Sequence, residues 1–92
     1  MTDYKSTPQN LFYQIKNGSI DAFNKVYDEY KTKIFLFAFK ILKSKDLAKE
    51  IVNEVFVELW NTRDRIIKDT YNSILFIIAY DKTMSMVNIN DK

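Results

Sequence analysis

The chain has 92 residues, a formal net charge of +2, and neither Cys nor His. That length holds one small domain. The missing residue types exclude a disulfide framework and remove both the usual zinc ligands and the commonest general base.

A hydrophobic content of 47% is enough to fill a core without disulfides or metal. One Gly and one Pro argue for long uninterrupted elements and against a turn-rich β fold. Apolar runs such as "ILFIIA" fall well short of the roughly 20 residues of a membrane span, and no membrane insertion is expected. Nothing at the start reads as a secretion signal, so the expected location is cytoplasmic.

The predicted elements follow in chain order. Residues 1–7 are polar and expected to fray. Thr7-Pro8 is a start signal, with the hydroxyl as N-cap and Pro at the first helical position. A short helix runs from there to about Lys16, and Asn17-Gly18 ends it. Ser19 caps a second helix from Ile20 to about Leu42. Its apolar positions, from Phe23, Val26 and Tyr27 to Ala38 and Ile41, recur every three or four residues. Ser44 caps a third helix that ends near Asn61, with Asp46 favourable in its first turn. Residues 62–69 form a charged connection. Thr70 is the expected cap of a last helix from Tyr71 to about Val87. The fold class is all-α: three long helices plus a short N-terminal one.

Two stretches, 34–39 and 74–79, are too apolar for a single stripe. Helices apolar all round are usually buried, so both are expected to cross at the centre and be covered on several sides; the alternative is an exposed partner surface.

Helix 3 raises a separate point. Leu47, Ile51, Val55 and Leu59 form one apolar row, and Val52, Phe56 and Trp60 form a second beside it. The remaining strip holds Asp46, Glu50, Asn53, Glu54 and Glu58. At about 100° per residue, Val57 falls at the centre of that strip. Charge is also segregated. Residues 25–49 carry seven Lys against three acids, and residues 50–62 carry three Glu and no base. A basic segment followed by an acidic one suggests two different partner surfaces.

The stretch "DLAKEIVNEVFVELWNTRD", 46–64, preceded by an aromatic helix and followed by a charged loop and an apolar helix containing "LFIIA", resembles region 2 of bacterial extracytoplasmic-function (ECF) RNA polymerase sigma factors. The family typically reads acidic-Leu-Ala-x-Asp/Glu, two hydrophobics, Gln-Glu-x-Phe-x-x-Leu-Trp; here Asn53 replaces the Gln. "AFNKVYDEYKTKIFLFAFKILKSKD" is similar to the family's first conserved helix pair, and the likeness covers roughly residues 20–80. The resemblance implies a sigma factor region 2-like domain over 1–92, a transcription initiation factor without the family's second domain, which reads the −35 element.

Such a domain docks on the clamp helices of the polymerase beta-prime subunit. It also helps to melt promoter DNA and to recognise the −10 element. The implied polymerase-binding residues are Asp46, Glu50, Asn53 and Glu54, facing basic groups, with Val57 packed at the centre. The implied DNA-binding residues are Arg63, Arg65 and Lys68, then Tyr71, Asn72, Phe76 and Tyr80, since a single strand needs cations for phosphate and aromatic platforms for bases.

The last helix departs from the family pattern. Where Ile-Ala-Arg-Asn is usual, with a later Asp and Arg, this chain has Ile78-Ala79-Tyr80-Asp81, then Ser85 and Asn88. The face that should meet DNA therefore carries Ser73, Phe76, Tyr80, Met84 and Asn88. It has stacking capacity and no positive charge. Lys82, the single base of that helix, projects nearer the apolar side.

An alternative function is therefore a protein-interaction module that binds polymerase or an anti-sigma factor and leaves DNA alone. An enzyme is not expected: there is no Gly-rich phosphate loop and no paired carboxylates in an evident cleft. No cofactor or metal is expected either, because the i, i+4 pair Glu50 and Glu54 lacks further ligands.

Overall fold

The computed structural model describes residues 8–67 and 73–90. Helix α1 spans Pro8–Lys16, α2 Ile20–Leu42, α3 Lys45–Asn61 and α4 Ile74–Asn90, with a 3₁₀ turn at Arg63–Arg65 between the last two. No strand occurs among the described residues, so the domain is all-helical, one short helix and three long ones.

The caps act where the sequence places them. Ser19 Oγ accepts from the Ala22 N–H at 3.1 Å. Ser44 Oγ accepts from the Leu47 N–H at 3.2 Å. Each satisfies one orphan donor of its helix, and losing such a cap typically costs about 1 kcal/mol. Gly18 takes φ +95° after α1. Its N–H donates to the Ile15 carbonyl and that of Ser19 to the Gln14 carbonyl, which closes the helix end. Between α2 and α3 the chain turns at Lys43, a left-handed lysine at φ 57° that no sequence signal announced.

Helix α2 is the centre of the domain, packed against α1, α3 and α4. Its buried row is Ala22, Val26, Ile34 and Ala38. From α3 come Ala48, Ile51, Val52, Val55, Phe56 and Leu59. Leu11, Phe12 and Ile15 of α1, then Ile66, Leu75, Ile78 and Ala79, complete the core. Full burial of an Ile or Leu side chain stabilises by about 1.5–3 kcal/mol, so this cluster is the main source of stability. Lys16 Nζ donates to the Ile66 carbonyl at 2.6 Å and ties the end of α1 to the segment after the 3₁₀ turn.

The two very apolar stretches differ from expectation. Each has one buried stripe and one exposed edge. Leu36 is 52% exposed and Ile77 is 55% exposed, while Phe35, Phe37, Phe39, Ile74 and Phe76 are half-buried against the core. A domain of four helices has too few neighbours to cover any of them on every side. For the same reason Tyr27 and Ile41, read as part of the α2 stripe, lie at its exposed border.

The described part of the last helix begins at Ile74 and runs to Asn90, past the expected end near Val87. The expected cap Thr70 and start Tyr71 lie outside the described residues, as do Thr7 and the expected frayed segment 1–7.

Candidate protein-docking face

The two apolar rows of α3 turn inward, which leaves Asp46, Glu50, Asn53 and Glu54 exposed on its outer face. Val57 lies among them at 51% exposure. The fifth member of the strip, Glu58, is half-buried. All five candidate docking residues therefore share one accessible helix face.

Val57 separates two depressions. On one flank an apolar groove runs between α2 and α3, walled by Ile20, Phe23 and Tyr27 on α2 and by Phe56, Val57 and Trp60 on α3. Its floor is an aromatic ladder. The Phe23 ring meets Phe56 edge-on at 6.0 Å and Trp60 at 5.3 Å, and Tyr27 meets Phe56 at 4.9 Å. These tilted contacts suit the ring quadrupoles and hold the two helices in register.

On the other flank a second depression is bordered by Asn53, Glu54, Val57, Glu58 and Asn61, and by Lys82 from α4. Lys82 Nζ bonds Glu58 Oε1 at 2.8 Å. The bond from Glu58 raises the Lys82 pKa above the ordinary lysine value. Partial burial opposes that rise, and the charges of Glu58, Glu54 and Asp81 add to it.

The α2 wall of the groove and Lys82 were not read as site residues. A signal for the wall was present in the i, i+4 aromatic pairs Phe23–Tyr27 and Phe56–Trp60. Lys82 points to α3, not merely toward the apolar side of α4, and periodicity alone carries no signal for that.

The candidate DNA residues are less coherent. Arg65 is exposed, and Tyr80 is 58% exposed on the outer face of α4. Arg63 folds back on α3: its guanidinium carbon sits 4.1 Å from the Trp60 ring centre, and Nη1 donates to the Trp60 carbonyl at 2.7 Å. Phe76 is half-buried and meets Tyr30 of α2 edge-on at 6.4 Å, so it belongs to the packing more than to an open face. Lys68, Tyr71 and Asn72 lie outside the described residues. Among the described residues no group of three or more His, Cys, Asp or Glu could hold a metal ion, and no helix is long and apolar enough to cross a membrane.

The described residues thus form a compact all-helical domain with one apolar residue inside an acidic helix face. Comparison with curated proteins supplies a distant relative: the chain is 29% identical over 75 residues to the ECF RNA polymerase sigma factor SigW of Bacillus subtilis (strain 168), a match covering 80% of this chain. It spans 40% of the length of that relative. No family model matches, and no solved structure does. The chain thus has weak, distant homology to an ECF sigma factor.

Proposed function

We propose that this chain is a sigma factor region 2-like module that docks on the clamp helices of the RNA polymerase beta-prime subunit. Val57 carries this reading: a half-exposed apolar residue, backed by an aromatic groove and bordered by Asp46, Glu50, Asn53 and Glu54. Small interfaces are built with an apolar anchor that excludes water and a polar rim that selects the partner. The distant likeness to a sigma factor supports the choice of partner. In this reading the exposed Arg65 and Tyr80, with Lys68, Tyr71 and Asn72, contribute to −10 recognition and melting.

The test is a binding titration against the isolated beta-prime clamp-helix hairpin. Glu54→Arg and Val57→Asp are each expected to weaken binding more than about tenfold, or about 1.4 kcal/mol. No binding by the wild type with an intact helical spectrum overturns the reading.

A second reading, docking on polymerase or an anti-sigma factor without DNA recognition, is favoured by two observations. Arg63 is engaged by Trp60, and Lys82, the single base of α4, is engaged by Glu58. Salt-dependent binding to single-stranded −10 DNA separates the two readings.

A further inference from the structure

The apolar groove beside Val57 does not end at Tyr27. Tyr27 and Asn53 also line a further hollow between α2 and α3, with Lys31, Thr32 and Phe35 on one side and Lys49 and Val52 on the other. The two hollows, about 660 and 410 Å³, share those two residues and form one open furrow. From Lys49 to Trp60 along α3 it runs about 16 Å, at 1.5 Å per residue. Its lining is graded. The Trp60 end is uncharged, with aromatic rings from both helices and the exposed amides of Asn24, Asn53 and Asn61. The other end carries two cations, Lys31 and Lys49, and no carboxylate lines either hollow.

Acids do stand near the cationic end. Asp28 lies 3.5 Å from Lys31 in an exposed pair, and Lys31 Nζ is 5.2 Å from the Tyr27 ring centre. Exposed contacts of this kind are weak, so a phosphate can displace them. Asp46 and Glu50 sit about 60° and 100° around α3 from Lys49, on its outer face, while Lys45, one turn before Lys49, adds a cation on the Lys49 side. Cations for phosphates, rings as platforms for bases, and amides that both donate and accept are the parts of single-strand recognition. An acidic peptide would use the cations alone, and a small anion would leave the aromatic end empty. We propose that the α2–α3 furrow binds single-stranded nucleic acid, with phosphates on Lys31 and Lys49 and bases against Tyr27 and the rings beyond it. Neither Arg65 nor Tyr80 lines the furrow, so this surface is separate from the candidate −10 residues. It does not depend on the docking reading.

The probe is a short oligothymidylate, titrated at low salt and read by the fluorescence of Trp60, which stands in the furrow wall. Saturable quenching is expected for the wild type. Lys31→Gln and Lys49→Gln are each expected to lower the slope of log affinity against log salt by about 0.7, one phosphate's share on a single strand. Tyr27→Leu is expected to weaken binding at least about fivefold at unchanged charge, the scale of one lost stacked base. Tyr27→Phe keeps the ring and should keep the affinity. Lys40→Gln removes an exposed lysine of α2 that lines neither hollow, and should leave the slope near the wild-type value. A helical spectrum of each variant shows that it is folded.

No binding of oligothymidylate, or a slope loss in Lys40→Gln as large as in the furrow variants, would overturn the site. Unchanged affinity in a folded Tyr27→Leu, or equal affinity for inorganic polyphosphate, overturns base stacking and with it the assignment. Tighter binding of an acidic, aromatic peptide than of the oligonucleotide assigns the furrow to a protein partner instead. Arg65→Ala is titrated alongside: a loss there with none in the furrow variants places the strand on the connecting turn and overturns the furrow. The hairpin titration, run without nucleic acid, reports on docking independently of all these outcomes.

Discussion

The Arg63 guanidinium packs over the Trp60 ring of α3, its carbon 4.1 Å from the ring centre, and its Nη1 donates to the Trp60 carbonyl at 2.7 Å. Trp60 in turn meets Phe23 of α2 at 5.3 Å. One cation thus closes the end of α3 and braces its contact with α2. Arg63→Ala is expected to destabilise the domain by about 1 kcal/mol, the scale of one exposed cation–π contact plus one hydrogen bond. Arg63→Lys should recover little of this, since an ammonium lacks the planar fork. Urea unfolding followed by the fluorescence of Trp60, the chain's single tryptophan, checks both.

The same geometry divides the two described arginines of the connecting turn. Arg65 is exposed, whereas Arg63 is engaged by Trp60. If the −10 reading holds, Arg65→Ala lowers the salt slope of binding to single-stranded DNA by about 0.7, one phosphate's share. Arg63→Ala leaves that slope close to the wild-type value. A log–log plot of affinity against salt for the three proteins decides the point.

Val57→Asp is expected to leave folding nearly intact. The side chain is 51% exposed, so little buried area is lost, and the change should stay under about 1 kcal/mol even with repulsion from Glu54. A loss of hairpin binding with an unchanged melting midpoint would then report the surface and not the fold. A collapse of the helical spectrum would contradict the exposed placement.

Thr83 is wholly buried on α4, and its hydroxyl has no hydrogen-bond partner among the described residues. An unsatisfied buried hydroxyl costs about 1–3 kcal/mol, and valine has nearly the same shape. Thr83→Val is therefore expected to stabilise the domain by about 1 kcal/mol in chemical denaturation. Thr83→Ser keeps the hydroxyl and removes a methyl, and should destabilise.

Alkaline pH should weaken the domain through two groups. Burial, and then the charge of Glu29, raise the Tyr30 pKa above 10.0, and the bond to Glu58 is the first cause raising Lys82 above 10.5. A group whose folded pKa is raised contributes stability below its unfolded value and loses it as pH climbs through the folded value. Their contributions should be constant from neutral pH to about 10 and decline above it. The stability differences between wild type and Tyr30→Phe or Lys82→Gln, followed by urea melts up to about pH 11.5, should show that decline.

Much of the fold was legible before any coordinates. Ser19 and Ser44 cap the helices that their positions announce, because a cap is a local bond between a side chain and an amide three residues on. The inward rows of α3 and the outward position of Val57 follow from helical geometry alone. The stretches 34–39 and 74–79 were misjudged because composition reports how apolar a helix is, not how many neighbours a small domain can set around it. Leu36 and Ile77 stay exposed for that reason.

The sequence by itself determined the helices, their caps and the acidic face with its apolar centre, since each depends on residues within a few positions of one another. Only the tertiary structure decided which charges remain available. Lys16 reaches the Ile66 carbonyl across fifty residues, and Lys82 reaches Glu58 from another helix. Such pairings depend on where the packed core sets one helix against the next, and that distance is a property of the whole assembly of side chains, which no local pattern encodes.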